Sequence, residues 1–277
     1  MPVFTLLHTN DFHNQLTEAQ ANYLRRLRTD LGTEGILLDA GDAVSCGNIT
    51  YHSGGEPILE TMTTVGYDAM TVGNREFHFS RVGFQTTLQR AKFPVLCANI
   101  RPVKSSPSAD SSSSLTELSS LSAGSAASLE KGEAVLPTQP FCLLVPNPEW
   151  KIVVLGLTVP MITERMLVRK VSAYVFDNPI EVAKQMVPEL RARYSPDLLI
   201  ALTHIGIQQD RLLAASVPGI DIIVGGHTHV VLEEGERVGE TLIVQAGAKG
   251  SHWGRVHVEK GKQVGESLQL TARLERL

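Results

Sequence analysis

At residues 3–13 the chain reads VFTLLHTNDFH. A run rich in β-branched and apolar side chains is followed, within a few residues, by an aspartate and a histidine. Such a run predicts a β-strand over Val3–Thr9. Asp11 and His13 would then lie just beyond the carboxyl end of this strand. This arrangement, a strand that ends in side chains able to bind a metal ion, recurs along the sequence.

Helix-length amphipathic stretches alternate with the predicted strands. Thr17 and Gln20 form a capping-box pair that predicts a helix over Glu18–Leu31. A second clear start is Asn178-Pro179, and Pro188 is expected to kink or split the helix that follows. Further helices are predicted at 57–66, 81–91 and 211–215, and further strands at 35–39, 69–72, 95–98, 141–145, 152–158, 198–203, 220–224 and 242–246. An antiparallel hairpin of residues 255–260 and 267–275 ends the chain. The alternation predicts an α/β fold.

Composition narrows the class of protein. The chain has 277 residues and a formal net charge of -4, which argues against nucleic-acid binding. The longest apolar runs fall far short of the roughly 18 residues that suggest a membrane span, so no membrane partner is expected. Three cysteines without a C-x-x-C pair indicate neither a disulfide framework nor a zinc knuckle. A strand-like run directly after Met1, in place of a secretory signal, predicts a cytoplasmic protein.

Residues 104–134 differ from the rest of the chain. Serine and alanine dominate this stretch, and it has almost no aromatic or β-branched residues. Such a segment buries too little apolar area to offset the entropy lost on ordering. Because strand-and-helix alternation resumes after it, we interpret it as a flexible insertion in a single domain over residues 1–277.

Five predicted strands are each followed within a few residues by possible metal ligands. These ligands are Asp11, His13, Asp42, Asn74, His204, His227 and His229. Ligands of α/β sheets bind at the carboxyl ends of the strands, so these side chains are expected to converge there. Each short motif would be weak evidence alone, because a single histidine is more often a core or surface residue.

The types of ligand restrict the ion. Imidazoles, carboxylates and one amide, without a thiolate, favour Mn²⁺, Zn²⁺, Fe or Co over Mg²⁺ or Ca²⁺. Seven ligands exceed the roughly three that a single catalytic zinc ion takes from the protein. Two divalent ions that share a bridging carboxylate account for the number, and such a pair can promote attack of water on a phosphoester.

These residues, in this order, resemble the calcineurin-like metallophosphoesterases. The resemblance rests on Thr9-Asn10-Asp11-Phe12-His13, Gly41-Asp42, Gly66 to Asn74, Ala98-Asn99-Ile100, Thr203-His204-Ile205-Gly206 and Gly225-Gly226-His227-Thr228-His229. Within that group the chain is similar to the catalytic domain of the 5′-nucleotidase and 2′,3′-cyclic-nucleotide phosphodiesterase family. The resemblance implies a two-sheet αββα sandwich with mixed sheets.

The resemblance also implies roles for the ligands. Asp11, His13, Asp42 and His229 would hold one ion, and Asp42, Asn74, His204 and His227 the other, with Asp42 as the bridge. The implied activity is hydrolysis of a nucleotide, as by a 5′-nucleotidase, or of a small phosphomonoester, with a metal-bridging hydroxide attacking phosphorus. An enzyme of nucleotide catabolism is expected, and the oligomeric state is left open.

Two features depart from the family pattern. The family has Gly-Asn-His-Glu with an aspartate two residues further on, whereas this chain reads Gly73-Asn74-Arg75-Glu76-Phe77-His78. We therefore predict that Asn74 and Arg75 hold phosphate oxygens, because an arginine supplies a fixed positive charge but does not release its proton near neutral pH. His78 or a water would handle the proton of the leaving group. The C-terminal domain that recognises the nucleobase in the family is not expected in this chain.

Other functions remain open. A phosphodiesterase, acting on 2′,3′-cyclic nucleotides or other diesters, would use the same ligands. A metal-stabilised binding protein with impaired catalysis is a non-enzymatic alternative, since Arg75 and His78 replace the usual pair. For these two residues, a surface ion pair of Arg75 with Glu76 or another acid and a spectator role of His78 are the structural alternatives. A metal-dependent amide or lactam hydrolase is disfavoured, because the chain neither opens with His-x-His nor contains His-x-His-x-Asp-His.

Overall fold

The computed structural model describes residues 3–47, 49–103, 136–261 and 268–277. The strands are β1 (Val3–Thr9), β2 (Gly35–Asp39), β3 (Ala69–Thr71), β4 (Val95–Leu96), β5 (Ile100–Pro102), β6 (Phe141–Asn147), β7 (Trp150–Thr158), β8 (Tyr174–Phe176), β9 (Leu198–His204), β10 (Ile222–Val224), β11 (Glu236–Val238), β12 (Thr241–Val244), β13 (His252–Glu259) and β14 (Gln269–Arg276). The helices are α1 (Glu18–Leu31), α2 (Pro57–Val65), α3 (Arg81–Leu88), α4 (Pro179–Tyr194) and α5 (Ile207–Ser216).

Two six-stranded sheets make up most of the molecule. The first has the order β14-β13-β1-β2-β3-β4, and the second has the order β11-β12-β10-β9-β7-β6. Strands β1 to β4 are parallel to one another, as are β7, β9, β10 and β12. Antiparallel strands complete each sheet, namely β13 and β14 in the first and β6 and β11 in the second. The sheets are therefore mixed, as predicted.

The sheets pack face to face, and helices cover their outer faces. Alternate side chains of β1 show the division, because successive residues of a strand point to opposite faces. Phe4 and Leu6 pack with Ile152 and Ile200 of the second sheet in the core between the sheets. Leu7 packs instead in the cluster that includes residues of α1 and α2. A third cluster joins the second sheet to α4 and α5. These layers confirm the αββα sandwich.

The predicted helix starts are confirmed by their hydrogen bonds. At the start of α1 the Thr17 hydroxyl accepts from the Gln20 backbone N–H, while the Gln20 side chain accepts from the Thr17 N–H at 2.9 Å. At the start of α4 the Asn178 side-chain oxygen accepts from the backbone N–H groups of Ile180 and Glu181. Both caps satisfy donors that a helix leaves free in its first turn.

The sequence predicts that Pro188 kinks or splits its helix; a split is wrong, whereas a kink stays a prediction. Helix α4 runs from Pro179 to Tyr194 with Pro188 inside it. Proline removes only one backbone donor, and Ala183, Val187 and Leu190 pack this helix against the second sheet. Burial of one helix face therefore keeps the segment helical on both sides of the proline.

Helix α5 is longer than the sequence predicts. It starts at Ile207 instead of Arg211, since the Thr228 hydroxyl accepts from the Ile207 backbone N–H at 3.1 Å. This contact joins residues that are far apart in sequence and so leaves no local signal.

The serine-rich segment lies outside the described residues, so its interpretation as a flexible insertion stays a prediction. The single-domain assignment and the cytoplasmic compartment also stay predictions. In the described part of the chain, every helix is too short or too polar to cross a bilayer.

Candidate metal centre

The predicted ligands meet where the carboxyl ends of parallel strands from both sheets come together. In the first sheet, Asp11 and His13 follow β1, Asp42 follows β2 and Asn74 follows β3. In the second sheet, His204 is the last residue of β9, while His227 and His229 follow β10. The site therefore lies at one edge of the sandwich and takes ligands from both sheets.

The backbone is strained where the ligands lie. Eight non-glycine residues in the described ranges have a positive φ, and five of them are predicted ligands. These five are Asp11 (φ +55°), His13 (+50°), Asp42 (+54°), His227 (+76°) and His229 (+55°). Left-handed backbone is unfavourable for residues with a side chain, and such strain concentrates at functional sites. The fold holds these residues in conformations that they would not adopt in isolation.

Asp11 and Asp42 lie among three of the imidazoles. The Asp11 Oδ1 atom is 3.5 Å from His13 Nε2 and 3.2 Å from His229 Nε2. The Asp42 carboxylate faces His13 with Oδ2, at 3.6 Å, and His204 with Oδ1, at 3.4 Å. Asp42 thus presents one oxygen to a ligand from the first sheet and the other oxygen to a ligand from the second.

These atoms fit a divalent ion. Asp11 Oδ1, His13 Nε2 and His204 Nε2 are all buried without a hydrogen-bond partner. Unpaired buried polar atoms are unfavourable, so their convergence calls for a cation between them. Ligand atoms bonded at roughly 2.0–2.1 Å to a tetrahedral ion lie about 3.4 Å apart, which is close to the separations here. The groups Asp11–His13–His229 and Asp11–Asp42–His204 each bring three ligand atoms within 4.8 Å of one another.

A backbone carbonyl orients His204. Its Nδ1 lies 2.7 Å from the Ala40 carbonyl oxygen, so Nδ1 donates to this oxygen and Nε2 is the nitrogen that faces the site. Gly226 packs against this pair, because a Cβ at that position would lie 2.8 Å from the Ala40 oxygen and 2.9 Å from His204 Nδ1. Only glycine fits there without displacing the imidazole.

The charges of the site favour a cation. The Asp11 and Asp42 carboxylates raise the pKa of His13 to about 9. Burial lowers the pKa of His204, but Asp42 outweighs this effect and the pKa is raised to about 9. Burial also opposes ionisation of Asp42, yet His13 and His204 hold its pKa below the usual range. The carboxylates therefore remain ionised, and metal ions would take the place of the imidazole protons.

Asn74 joins the centre through His227. The Asn74 side-chain oxygen lies 2.9 Å from His227 Nδ1, and the His227 ring packs edge-on against His204 at 5.1 Å between ring centroids. The His227 backbone N–H donates to Asp11 Oδ2 at 3.0 Å. All seven predicted ligands thus belong to one connected group.

Arg75 lies directly beside Asp42. Its backbone N–H donates to Asp42 Oδ1 at 2.8 Å, and its Nε is 3.5 Å from Asp42 Oδ2. The guanidinium also donates to the Ser45 carbonyl oxygen at 3.0 Å. The acid beside Arg75 is therefore Asp42, not Glu76, and the arginine side chain stays 38% exposed at the edge of the site.

Glu76 has a role that sequence reasoning missed. Its fully buried carboxylate accepts from the backbone N–H groups of Asp42, at 2.9 Å, Val44, at 3.1 Å, and Gly73, at 2.7 Å. It therefore ties the loop after β2 to the loop after β3. Its position three residues after Gly73, in a loop beside the ligands, was the signal available in the sequence.

His78 lies at the start of α3. Its Nδ1 accepts from the Ser80 backbone N–H at 3.0 Å, and its ring stacks on Phe79 and packs edge-on against Tyr51. Among the residues that the structure describes, no hydrogen bond or ring contact connects His78 to the seven ligands. The role of His78 in proton transfer therefore stays a prediction that no contact with the predicted ligands supports.

Comparison with known proteins agrees with this geometry. The model of the calcineurin-like phosphoesterase family matches residues 4–231. A trifunctional nucleotide phosphoesterase of Bacillus subtilis, YfkN, is 34% identical over 93% of this chain and 18% of its own length. A 5′-nucleotidase of Vibrio vulnificus is 27% identical over 81% of this chain and 40% of its own length. The chain thus spans less than half the length of these curated relatives.

Solved structures show the same fold. The crystal structure of a 5′-nucleotidase precursor from Thermus thermophilus superposes with a TM-score of 0.72 at 23% identity, covering 99% of this chain and 54% of the other. The structure of YfkN from Bacillus subtilis gives a TM-score of 0.65 at 19% identity and covers 90% of that chain. Ligand order, strand topology and the family match agree, and the chain belongs to the calcineurin-like phosphoesterase family.

Proposed function

We propose that this protein hydrolyses the phosphoester of a nucleotide with the help of two divalent ions. The observation that carries the proposal is the position of Asp42, whose two carboxylate oxygens face His13 at 3.6 Å and His204 at 3.4 Å. A carboxylate between two groups of ligands is the arrangement that a pair of neighbouring ions requires.

One ion would be held by Asp11, His13, Asp42 and His229, and the other by Asp42, Asn74, His204 and His227. Imidazole and carboxylate ligands suit Mn²⁺, Zn²⁺, Fe or Co. When bound, such ions supply Lewis-acid activation of the attacking water and of the phosphate oxygens. The protein contributes the orientation of the ligands, through the Ala40 carbonyl at His204 and through Glu76 at the loop of Asp42.

Arg75 would bind the phosphate. Its guanidinium is held beside Asp42 by the Ser45 carbonyl and remains partly exposed, and its buried Nε has no hydrogen-bond partner. A fixed positive charge at this place favours the charge that develops on the phosphate oxygens in the transition state. Asn74, which directly precedes Arg75, would hold another phosphate oxygen or act as a ligand of the second ion.

The proton of the leaving group has two possible sources. The Nδ1 atom of His78 accepts a hydrogen bond from Ser80, so only its Nε2 could donate to a leaving oxygen. A water at the site is the alternative donor and does not require His78 to lie close to the leaving oxygen.

Nucleotides are proposed as substrates because relatives carry the names nucleotide phosphoesterase and 5′-nucleotidase.

A substrate panel on Mn²⁺-reconstituted protein tests the proposal. Between pH 6 and 9 we would measure phosphate released from 5′-AMP, p-nitrophenol released from p-nitrophenyl phosphate and bis-p-nitrophenyl phosphate, and AMP formed from 2′,3′-cyclic AMP. We expect turnover of 5′-AMP and of p-nitrophenyl phosphate, and none by Asp42→Asn. Turnover confined to the cyclic and diester substrates would identify a phosphodiesterase instead. No turnover of any substrate by protein that binds the metal would overturn the proposal in favour of a binding protein.

A further inference from the structure

The loop after β10 supplies two ligands but cannot position them by burial. His227, Thr228 and His229 are all exposed, and both histidines have a left-handed backbone. Exposed loop residues in an unfavourable conformation need specific contacts to hold them in place. The contacts therefore have to come from elsewhere in the fold.

Gln245 provides these contacts. It directly follows β12, the strand beside β10, and its side chain is fully buried. Its Nε2 donates to the Gly226 carbonyl oxygen at 2.9 Å, and its Oε1 accepts from the Thr228 hydroxyl at 3.1 Å and from the Val230 backbone N–H at 2.6 Å.

The three partners of Gln245 alternate with the two histidines. Gly226 precedes His227, Thr228 separates the histidines, and Val230 follows His229. Each histidine therefore has a fixed residue on both sides, and its left-handed backbone cannot relax without breaking a bond to Gln245. Among the residues that the structure describes, no hydrogen bond joins the Gln245 side chain to either imidazole.

The neighbouring contacts extend this anchor to the rest of the site. The Thr228 hydroxyl that donates to Gln245 also accepts from the Ile207 N–H at the start of α5. Next to Gln245, the Ala246 N–H donates to Asn10 Oδ1, and Asn10 Nδ2 donates to Asp11 Oδ2 at 2.8 Å. The segment after β12 thus supplies none of the predicted ligands but is bonded to the loops that carry four of them, Asp11, His13, His227 and His229.

An amide is the side chain that this position requires. Gln245 donates to one backbone carbonyl and accepts from two donors at the same time, which an amide can do without binding a proton. An ionised glutamate would place a second oxygen against the Gly226 carbonyl, and methionine would leave this carbonyl and the Val230 N–H without the partner that Gln245 provides.

We infer that Gln245 is a positioning residue that sets the affinity of the site for its metal ions by holding His227 and His229 in their binding conformations. This inference rests on the proposed two-ion site, in which each of these histidines serves a different ion. Loss of the glutamine contacts should therefore weaken the binding of both ions. Loss of a ligand to one ion should instead weaken the binding of that ion most.

Calorimetric titration of metal-stripped protein with Mn²⁺ tests this inference without a substrate. Gln245→Met keeps the length of the side chain and removes its hydrogen bonds, and we expect about 10- to 100-fold weaker binding of both ions. Thr228→Val is a milder second variant at an exposed position and removes only one of the three hydrogen bonds to Gln245. It should weaken the binding of Mn²⁺ several-fold. Thr228→Ser, which keeps the hydroxyl, should bind Mn²⁺ with the affinity of the parent protein.

Asn99→Leu is the matched control for the loss of a buried amide. Asn99 is as buried as Gln245 and also makes three hydrogen bonds to the backbone, of Thr158 and Asp177, but holds none of the predicted ligands. We expect it to lower the thermal midpoint as Gln245→Met does while Mn²⁺ binding stays within about twofold of that of the parent protein.

The inference fails if Gln245→Met binds Mn²⁺ as tightly as the parent, if Thr228→Val and Thr228→Ser behave alike, or if Asn99→Leu weakens Mn²⁺ equally. Its failure is distinguishable from failure of the proposed function. Parent protein that binds two Mn²⁺ ions but hydrolyses no phosphoester refutes the hydrolase alone. Active parent protein with Gln245 variants of unchanged affinity refutes the positioning role alone.

Discussion

Arg75 restricts the chemistry that the predicted ligands around it can support. Its guanidinium stays beside the Asp42 carboxylate and is anchored by the Ser45 carbonyl. A guanidinium carries a fixed positive charge, so it can stabilise charge on a phosphate but is a poor proton donor. Its contribution should therefore appear in the rate and not in metal binding.

Replacement of Arg75 by alanine should lower kcat on p-nitrophenyl phosphate by about 100-fold, as expected for the loss of one group that stabilises transition-state charge. Arg75→Lys should recover part of this loss. Metal content, measured by mass spectrometry, should not fall, because the substitution removes a positive charge that repels the ions. Arg211→Ala, which breaks a surface pair with Glu236, is the control and should keep full activity. Unchanged turnover of Arg75→Ala would exclude a role in binding the phosphate.

Asp210 is a buried carboxylic acid outside the metal centre. Its Oδ1 accepts from the Thr203 hydroxyl at 2.6 Å, whereas its Oδ2 is buried without a partner. Burial raises the pKa of Asp210 from its usual 3.8 to about 7. Between these two values the folded protein holds a proton that the unfolded chain has lost, so the free energy of unfolding falls as the pH rises from about 4 to about 7.

Asp210→Asn should remove this pH dependence. Because a change of one in pKa corresponds to about 1.4 kcal/mol, the stabilisation of the variant relative to the parent should be about 2–3 kcal/mol larger at pH 8 than at pH 5. Urea unfolding at the two pH values measures it. Asp177→Asn makes the same chemical change at a half-exposed carboxylate and serves as the control. A stability difference that is equal at pH 5 and pH 8 would contradict the prediction.

The start of helix α4 and its continuation through Pro188 have different causes, one local and one in the packing of the helix. Its start is determined locally, by the Asn178 side chain that accepts from two backbone N–H groups and by Pro179 in the first turn. Its passage through Pro188 is determined by packing, since Ala183, Val187 and Leu190 lie against the second sheet. The two effects can be tested separately.

Asn178→Ala should destabilise the protein by about 1 kcal/mol, because two N–H donors in the first turn of the helix lose their acceptor. Asn178→Asp keeps an oxygen at this position and adds a charge that a helix N-terminus favours, so it should retain the parental stability. The urea concentrations at half-unfolding measure these stability differences, provided that the unfolding free energies of the variants depend on urea with equal slope. Equal losses in both variants would show that the cap does not stabilise α4.

At the functional edge of the molecule, the predicted ligands come from both sheets. Asp11, His13 and Asp42 come from the first sheet, and His204, His227 and His229 come from the second. Ions bound between them would crosslink the two halves of the sandwich. Binding of metal and folding should therefore be thermodynamically linked.

Addition of Mn²⁺ to metal-stripped protein should raise the thermal midpoint, and chelation should reverse the change. At a free ion concentration 100 times the dissociation constant, the gain in stability should be about 2.7 kcal/mol for each independent site. Differential scanning calorimetry over a series of Mn²⁺ concentrations measures it. Asp42→Asn should largely abolish the effect, and a midpoint independent of Mn²⁺ in the parent protein would contradict a metal centre.

Local physical chemistry determined much of this protein. The alternation of strands and helices, the caps of α1 and α4 and the polar residues at strand ends all depend on neighbours in sequence, and each was predictable from it. Tertiary structure alone decided which atoms face one another. The buried contacts of Glu76 and Gln245, the approach of His204 to Asp42 and the continuity of α4 through Pro188 join residues up to 162 positions apart, as between His204 and Asp42, or depend on packing against another layer. Such contacts form only when the two sheets meet, so no periodicity or local propensity records them.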